Sequence, residues 1–423
     1  MPLSSLLPAI QSYQQDLDAL LIYGDTFDDP VGQAFRSLLA ALSQAGGSAT
    51  LRAYGHWFQS LASIQETWAS YVVRRLIYAD NPFTRQIQTQ SLEQLPPALI
   101  QAVCSDLVHL QHLYHLDLRE MSAWVQAIAD LPTLPVAWVE VGQISLPFVF
   151  DPDRSWVEAL TTLAHHYRQQ GVGVMGQYRA LRWQGCRLVG IAHPDPIQLA
   201  ELTAYDRPRQ DLIHNTLALL RGHSALNVLL YGSRGSGKSS LVKALLNEYY
   251  SQGLRLIEVP RSGLQDLPEI MEYLRPLPQK FIIFVDDLSF ETDDAAFKAL
   301  KVVLEGGLTA RPNNVVVYAT SNRRHLVPEY FGDRPRPQDQ DELQPWDTLQ
   351  EKLSFSDRFG LTLTFEPADQ QTYLTIVDHL AQAAAITLEP NQLRAQALQW
   401  ATRQNGRSGR TARQFIDWIR GQA

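Results

Sequence analysis

The 423-residue chain is poor in cysteine, in long apolar runs and, through its first half, in lysine. Two cysteines, Cys104 and Cys186, supply neither a disulfide framework nor a metal-ligand cluster and read as small buried hydrophobes. No run of about eighteen apolar residues is present, so no helical membrane span is expected. The segment MPLSSLLPAIQSYQQDLDAL lacks a basic region before its apolar residues and carries acids early, which excludes a signal-peptide reading and makes a cytoplasmic location the expectation. Positive charge is not in excess either. A formal net charge of -8 argues against a globally basic nucleic-acid binder, although it leaves room for a local basic patch.

What is present reads as globular. With 45% hydrophobic and 19% charged residues, the length suggests two or three domains, each with its own core. Every lysine lies at Lys238 or later, so the halves differ in composition. From about Leu6 to Ile128 apolar residues recur at spacings of three and four, as in LDALLIY and FRSLLAAL, which predicts a run of amphipathic helices. Its histidines, His56, His109, His112 and His115, have no Cys or acidic neighbours at ligand spacing and read as structural. Between Leu134 and Pro194 the period changes. VAWVEV is followed by a helix-like WVEALTTLAHHYRQQ, and Gln184-Gly185 separates two alternating runs, a hairpin signal. The regions expected are 1–133 (helical, a candidate adaptor), 134–197 (a small α/β connector), 198–366 (a nucleotide-binding core) and 367–423 (a helical lid).

The chemistry begins at NVLLYGSRGSGKSSLVKALL, Asn227 to Leu246. A short apolar strand, a glycine-bearing turn and a good helix former follow one another, and the turn spells G-x-x-x-x-G-K-S from Gly232 to Ser239. Glycines let backbone N–H groups converge on phosphate oxygens, and the helix start adds free amides and the positive end of its dipole. Lys238 is then expected on the β- and γ-phosphates and Ser239 on Mg2+. The nucleotide contacts expected are Gly232, Ser233, Arg234, Gly235, Ser236, Gly237, Lys238, Ser239 and Ser240, with Tyr205 upstream.

Three further strands follow in order. LRLIEV runs from Leu254 to Val259. FIIFVDDL, Phe281 to Leu288, is the continuous apolar run of a strand buried on both faces, yet it ends in two carboxylates. Asp286 is expected to hold Mg2+ and Asp287 to orient or deprotonate water. VVVYATSN, Val315 to Asn322, ends in polar groups from which Asn322 can reach the γ-phosphate or the water; Thr320 and Ser321 are weaker candidates. LTLTF, Leu361 to Phe365, gives a fifth strand, after which QTYLTIVDHLAQAAA, NQLRAQALQWATRQ and GRTARQFIDWI read as helices.

These motifs together resemble the AAA+ ATPases over roughly Gln198 to the C-terminus. LLYGSRGSGKSSLVKALL, FIIFVDDLSFE, LEGGLTARPNNVVVYATSNRRHL, EKLSFSDRFGLTLTF and GRSGRTARQFIDW look more closely like the family catalogued as domain of unknown function 815. The resemblance implies that Asn322 is the sensor-1 residue, Arg358 the arginine finger and Arg410 the sensor-2 arginine of the lid. One departure stands out. The usual AAA+ strand ends Asp-Glu, whereas Asp286-Asp287 is a methylene shorter at the catalytic position, and Glu291 is the alternative longer carboxylate. Arg323 and Arg324 are alternative fingers, and the polar, proline-rich Phe331 to Asp347 reads as a long loop.

The fold class expected is therefore α/β: an AAA+ type αβα sandwich with a five-stranded parallel sheet and a C-terminal helical lid, preceded by a mostly helical region. The function expected is an ATP- and Mg2+-dependent, homo-oligomeric remodelling ATPase with a macromolecular client, protein slightly favoured over nucleic acid and no membrane span. Its alternatives are a helicase-loader-like DNA-associated ATPase and a P-loop kinase.

Overall fold

The computed structural model describes residues 3–139, 148, 150–151, 153–288, 295–305, 311–322 and 358–422. The chain divides into two compact units, Met1–Gln177 and Tyr178–Ala423.

The first unit is helical: α1 (Leu3–Ala19), α2 (Pro30–Ser43), α3 (Gly47–Ile64), α4 (Trp68–Ile77), α5 (Pro82–Ile87), α6 (Pro97–Tyr114), α7 (Leu118–Ala129), α8 (Leu160–Gln170) and α9 (Gly173–Gln177). Polar residues start several of these helices by accepting amides the first turn leaves unpaired. Asp29 accepts from Gly32, Thr67 from Ser70, and Asn81 forms a capping box with Thr84. Its aromatics are core. Phe35, Trp57 and Trp68 meet with ring centroids 4.2 to 5.6 Å apart, and all three are buried. Asp106, buried on α6, accepts from the backbone N–H groups of Leu21, Ile22 and Tyr23, which fixes the turn after α1. An acid remote in sequence does reach two of the histidines: Asp16 on α1 accepts from His109 at 2.8 Å and also bonds His112, which stacks on Tyr13. Residues 134–139 form no regular structure.

The second unit is built on one sheet. Its strands are β1 (Ala180–Trp183), β2 (Leu188–Gly190), β3 (Val228–Gly232), β4 (Leu254–Glu258), β5 (Lys280–Val285), β6 (Val315–Ser321) and β7 (Leu361–Phe365). Their order is β2-β1-β4-β5-β6-β3-β7. β2 is antiparallel to β1, and every other pairing is parallel. The expected five parallel strands are all there, but the sheet has seven. The hairpin anticipated around Gln184-Gly185 pairs through β1 with β4 and extends the sheet. Its alternating pattern fits an edge, where one face is solvated, and gives no hint of which sheet it joins.

β5 and β6 are apolar and buried along their lengths. The helices of this unit are α10 (Asp206–Leu220), α11 (Lys238–Tyr249), α12 (Leu267–Leu274) and α13 (Ala295–Glu305). The lid follows as α14 (Gln370–Ala383), α15 (Pro390–Arg403) and α16 (Gly409–Arg420), capped by Asp369, Glu389 and Ser408. Tyr373, Ala397 and Phe415 form the centre of the lid's own core. The second unit is thus the expected α/β architecture, a largely parallel sheet with helices, closed by three C-terminal helices with a core of their own.

The first unit carries an acid-sensitive group. His166 on α8 is buried beside Phe148, and its Nε2 has no hydrogen-bond partner among the described residues. Burial disfavours the imidazolium and pushes its pKa down to about 4 from the usual 6.5. Between those values the unfolded chain binds the extra proton, so stability is full above pH 6.5 and falls as the pH drops through this window. The difference is about 2 kcal/mol by pH 5. Chemical denaturation followed by tryptophan fluorescence at pH 7 and pH 5 is expected to show this loss in the wild type and its absence in His166→Phe.

Candidate functional site

Three parallel strands bring the site together, because β3, β5 and β6 are neighbours and end on the same side of the sheet. After β3 the chain turns through the glycine loop into α11. Gly232 has φ 146, and a Cβ there would stand 1.9 Å from the carbonyl oxygen of Phe365, which also accepts from the N–H of Ser233 at 3.2 Å. Only glycine fits this contact between the loop and β7.

Lys238 opens α11 and is buried. Its Nζ donates to the carbonyls of Gly232 at 2.9 Å and Ser233 at 2.8 Å, and lies 3.5 Å from Ser236 Oγ and 3.4 Å from Asn322 Oδ1. All four partners are uncharged. Burial holds the amine below the usual lysine range, and the carboxylates of Asp286 and Asp287 oppose that shift. A desolvated cation facing neutral oxygens suits an anionic ligand.

The end of β5 meets this loop. Ser239 Oγ donates to Asp286 Oδ1 at 2.6 Å, and Thr320 Oγ1 donates to the same oxygen at 2.5 Å. Asn322 Nδ2 donates to Asp287 Oδ1 at 2.7 Å. A chain of polar contacts thus runs from Lys238 through Asn322 to Asp287, with a second from Ser239 through Asp286 to Thr320. The Ser239 hydroxyl and the Asp286 carboxylate are hard oxygen donors of the kind Mg2+ takes, and they lie beside the cationic cradle, so the residues fit that ion.

Asp287 has φ 53. Aspartate enters the left-handed region more readily than most residues, whereas a longer acid gains nothing there. The turn that ends β5 therefore gives a physical reason for Asp-Asp in place of Asp-Glu.

The lid forms the opposite wall of a cavity of about 680 Å3. Arg410 donates its backbone N–H to the carbonyl of Gly235 at 3.2 Å. A Cβ at Gly235, where φ is 75, would come within 2.8 Å of Ser408 Oγ, so the loop apex and the start of α16 approach as closely as glycine permits. Arg413 pairs with Glu201 at 3.1 Å. The cavity is lined by apolar residues, among them Ile197, Leu202, Ile376 and Leu380, and by polar ones, among them Arg234, Lys238, Ser239, Asp286, Asp287 and Arg410. A pocket of this size, with cationic and apolar groups both on its wall, has room for a nucleotide.

Four of the expected site residues do not line the cavity: Tyr205, Arg358, and Gly232 and Ser233, whose carbonyls accept from Lys238. The Tyr205 hydroxyl donates to the Glu366 carbonyl at 2.7 Å and its ring tilts against Phe365 at 5.2 Å. Arg358 precedes β7, whose far end, Phe365, pairs with Gly232. β7 runs parallel to β3 with Leu361 beside Val228, so Arg358 precedes the end of the strand that lies away from its own loop. Glu291, Arg323, Arg324 and the Phe331 to Asp347 stretch fall outside the described residues.

Other wall residues were not anticipated. Arg413, Gln414 and Asp417 follow Arg410 at three, four and seven residues, one face of a helix, so spacing alone would have found them. Glu201, Leu202 and Thr203 sit at and just after a short 3-10 turn, Leu199–Glu201, with no sequence signal of their own.

A family model described as "Protein of unknown function (DUF815)" matches residues 176–423. Among solved structures, a proline-to-glycine variant of Thermotoga maritima RuvB is 16% identical with a TM-score of 0.38, covering 53% of this chain and 66% of that one. A threonine-to-valine variant is 15% identical with a TM-score of 0.34, covering 52% and 72%. T. maritima RuvB, described as a Holliday junction branch migration motor, is 14% identical with a TM-score of 0.33, again covering 52% and 72%. No curated protein matches.

Proposed function

The chain belongs to the family described as protein of unknown function (DUF815), whose model spans more than half of it, and we propose that it hydrolyses ATP to ADP and phosphate. The observation that carries this reading is the pair of polar chains joining Lys238 and Ser239 of the loop to the ends of β5 and β6. Lys238 and the amides of the loop take the charge of the phosphates. Ser239 and Asp286 hold Mg2+, which when bound neutralises phosphate charge. Asp287 holds the attacking water and takes its proton, and Asn322 keeps that carboxylate turned toward the cradle. Arg410 adds positive charge from the lid side. Lid and loop touch through Gly235, which supports a lid that moves with the state of the phosphates.

A kinase is the weaker reading. The paired acids at the end of β5 support activation of a water rather than transfer to a second substrate. The working form is a homo-oligomer in which Arg358 serves a neighbouring subunit, a role supported by its place before the end of β7 that lies away from its own loop. The client is a protein. Residues 1–177 carry 8 arginines against 16 acidic residues and no lysine, so the whole net charge of -8 belongs to that part, and phosphate backbones would be repelled by it. The location proposed is the cytoplasm; among the described residues no helix is long and apolar enough to cross a membrane.

Lys238→Ala is expected to lose ATP binding while melting at or slightly above the wild-type temperature, since it removes a desolvated cation and no packed core atoms. Fluorescent-nucleotide titration beside thermal melting checks this, and wild-type affinity in the variant would remove the site. Mixing Arg358→Ala with Lys238→Ala, each inactive alone, should restore partial turnover, because a finger supplied in trans contributes on the order of a thousandfold. Co-assembled mixtures that stay inactive, or full activity of monomeric Arg358→Ala, would contradict the shared site.

A further inference from the structure

We propose that Thr320 is a positioning residue for hydrolysis, whose one hydroxyl sets both Asp286 and Asp287; this rests on the ATPase reading above. Val285 pairs with Ala319, so Thr320 lies one step beyond the last paired residues of β5 and β6, alongside Asp286. It is 2% exposed and lines the cavity.

Three successive residues hang on it. Thr320 Oγ1 donates to Asp286 Oδ1 at 2.5 Å and accepts from the backbone N–H of Asp287 at 2.9 Å, and its carbonyl accepts from the N–H of Leu288 at 2.7 Å. A hydroxyl can do both jobs because it has one proton to give and lone pairs to receive. The first bond fixes the rotamer of the carboxylate assigned to Mg2+. The second holds the peptide before Asp287 in the left-handed turn, where φ is 53, and so decides where the second carboxylate points. Asn322 holds that carboxylate from its far end. Partners that orient groups at a metal or catalytic centre without touching substrate tune it strongly.

Valine keeps the shape of threonine and removes both bonds. Serine keeps the hydroxyl and loses a methyl group. Alanine differs from serine by the hydroxyl alone. In Thr320→Ala and Thr320→Val, kcat should fall by about ten- to a hundredfold and the Mg2+ concentration for half-maximal turnover should rise, while ATP affinity without Mg2+ changes by less than about threefold. Thr320→Ser should keep kcat within about threefold of wild type.

Phosphate release as a function of Mg2+, with nucleotide titration in EDTA, reads all of these. Should valine fail to fold, the serine–alanine pair decides. Equal turnover in Ala and Ser, or wild-type turnover in Val, overturns the role of the hydroxyl. Absence of turnover in the folded, nucleotide-bound wild type overturns the ATPase reading instead, which keeps the two failures apart.

Discussion

Asp286 Oδ1 receives two hydroxyl protons, one from Ser239 on the phosphate loop and one from Thr320 on the neighbouring strand. That meeting exists only because β3, β6 and β5 lie side by side, parallel and in a register that sets Asp286 alongside Thr320. A shift of either strand by one residue would turn these side chains to the opposite face of the sheet. The buried apolar runs of β5 and β6 enforce the register: the hydrophobic positions that bury against α-helices on both faces also bring Asp286, Thr320 and Ser239 together. Packing and chemistry share one constraint. The same constraint explains why polar residues at the ends of otherwise apolar strands are informative.

The parts of the site that act through local backbone were legible in the sequence. The glycine loop, Lys238 and Ser239 follow from spacing alone, and the paired acids stand out because a buried strand does not end that way by default. What spacing could not show was the conformation at Asp287, where a positive φ favours the short acid and makes Thr320 its anchor. The sequence placed Thr320 behind Asn322 because both end the same strand, and hydrogen-bond direction is not written in a pattern of residue types. Tyr205 shows the converse. Expected among the nucleotide contacts, it bonds through its hydroxyl to the carbonyl after β7, a partner that no local spacing shows.

The fold was legible to the extent that periodicity reports burial. β7 and the lid helices fall where their patterns put them, while the hairpin β1–β2 required knowledge of a sheet edge that its own residues do not encode. In the first unit the helical period was clear. The place of its aromatics was not, since burial depends on neighbours remote in sequence; Trp57 and Trp68 are both buried. Asp16 likewise reaches His109 and His112 from a helix some ninety residues away in sequence, beyond any local spacing rule.

On the proposed reading the two adjacent acids do different work, Asp286 for Mg2+ and Asp287 for water. The most direct measurement is ATP affinity in Mg2+ together with steady-state phosphate release for Asp286→Asn, Asp287→Asn and Glu291→Gln. Asp287→Asn should keep ATP bound and slow hydrolysis by on the order of a hundredfold or more, Asp286→Asn should lose the Mg2+-dependent part of binding, and Glu291→Gln should turn over like wild type. Abolished turnover in Glu291→Gln with near-normal turnover in Asp287→Asn would contradict the assignment and move the catalytic carboxylate to Glu291.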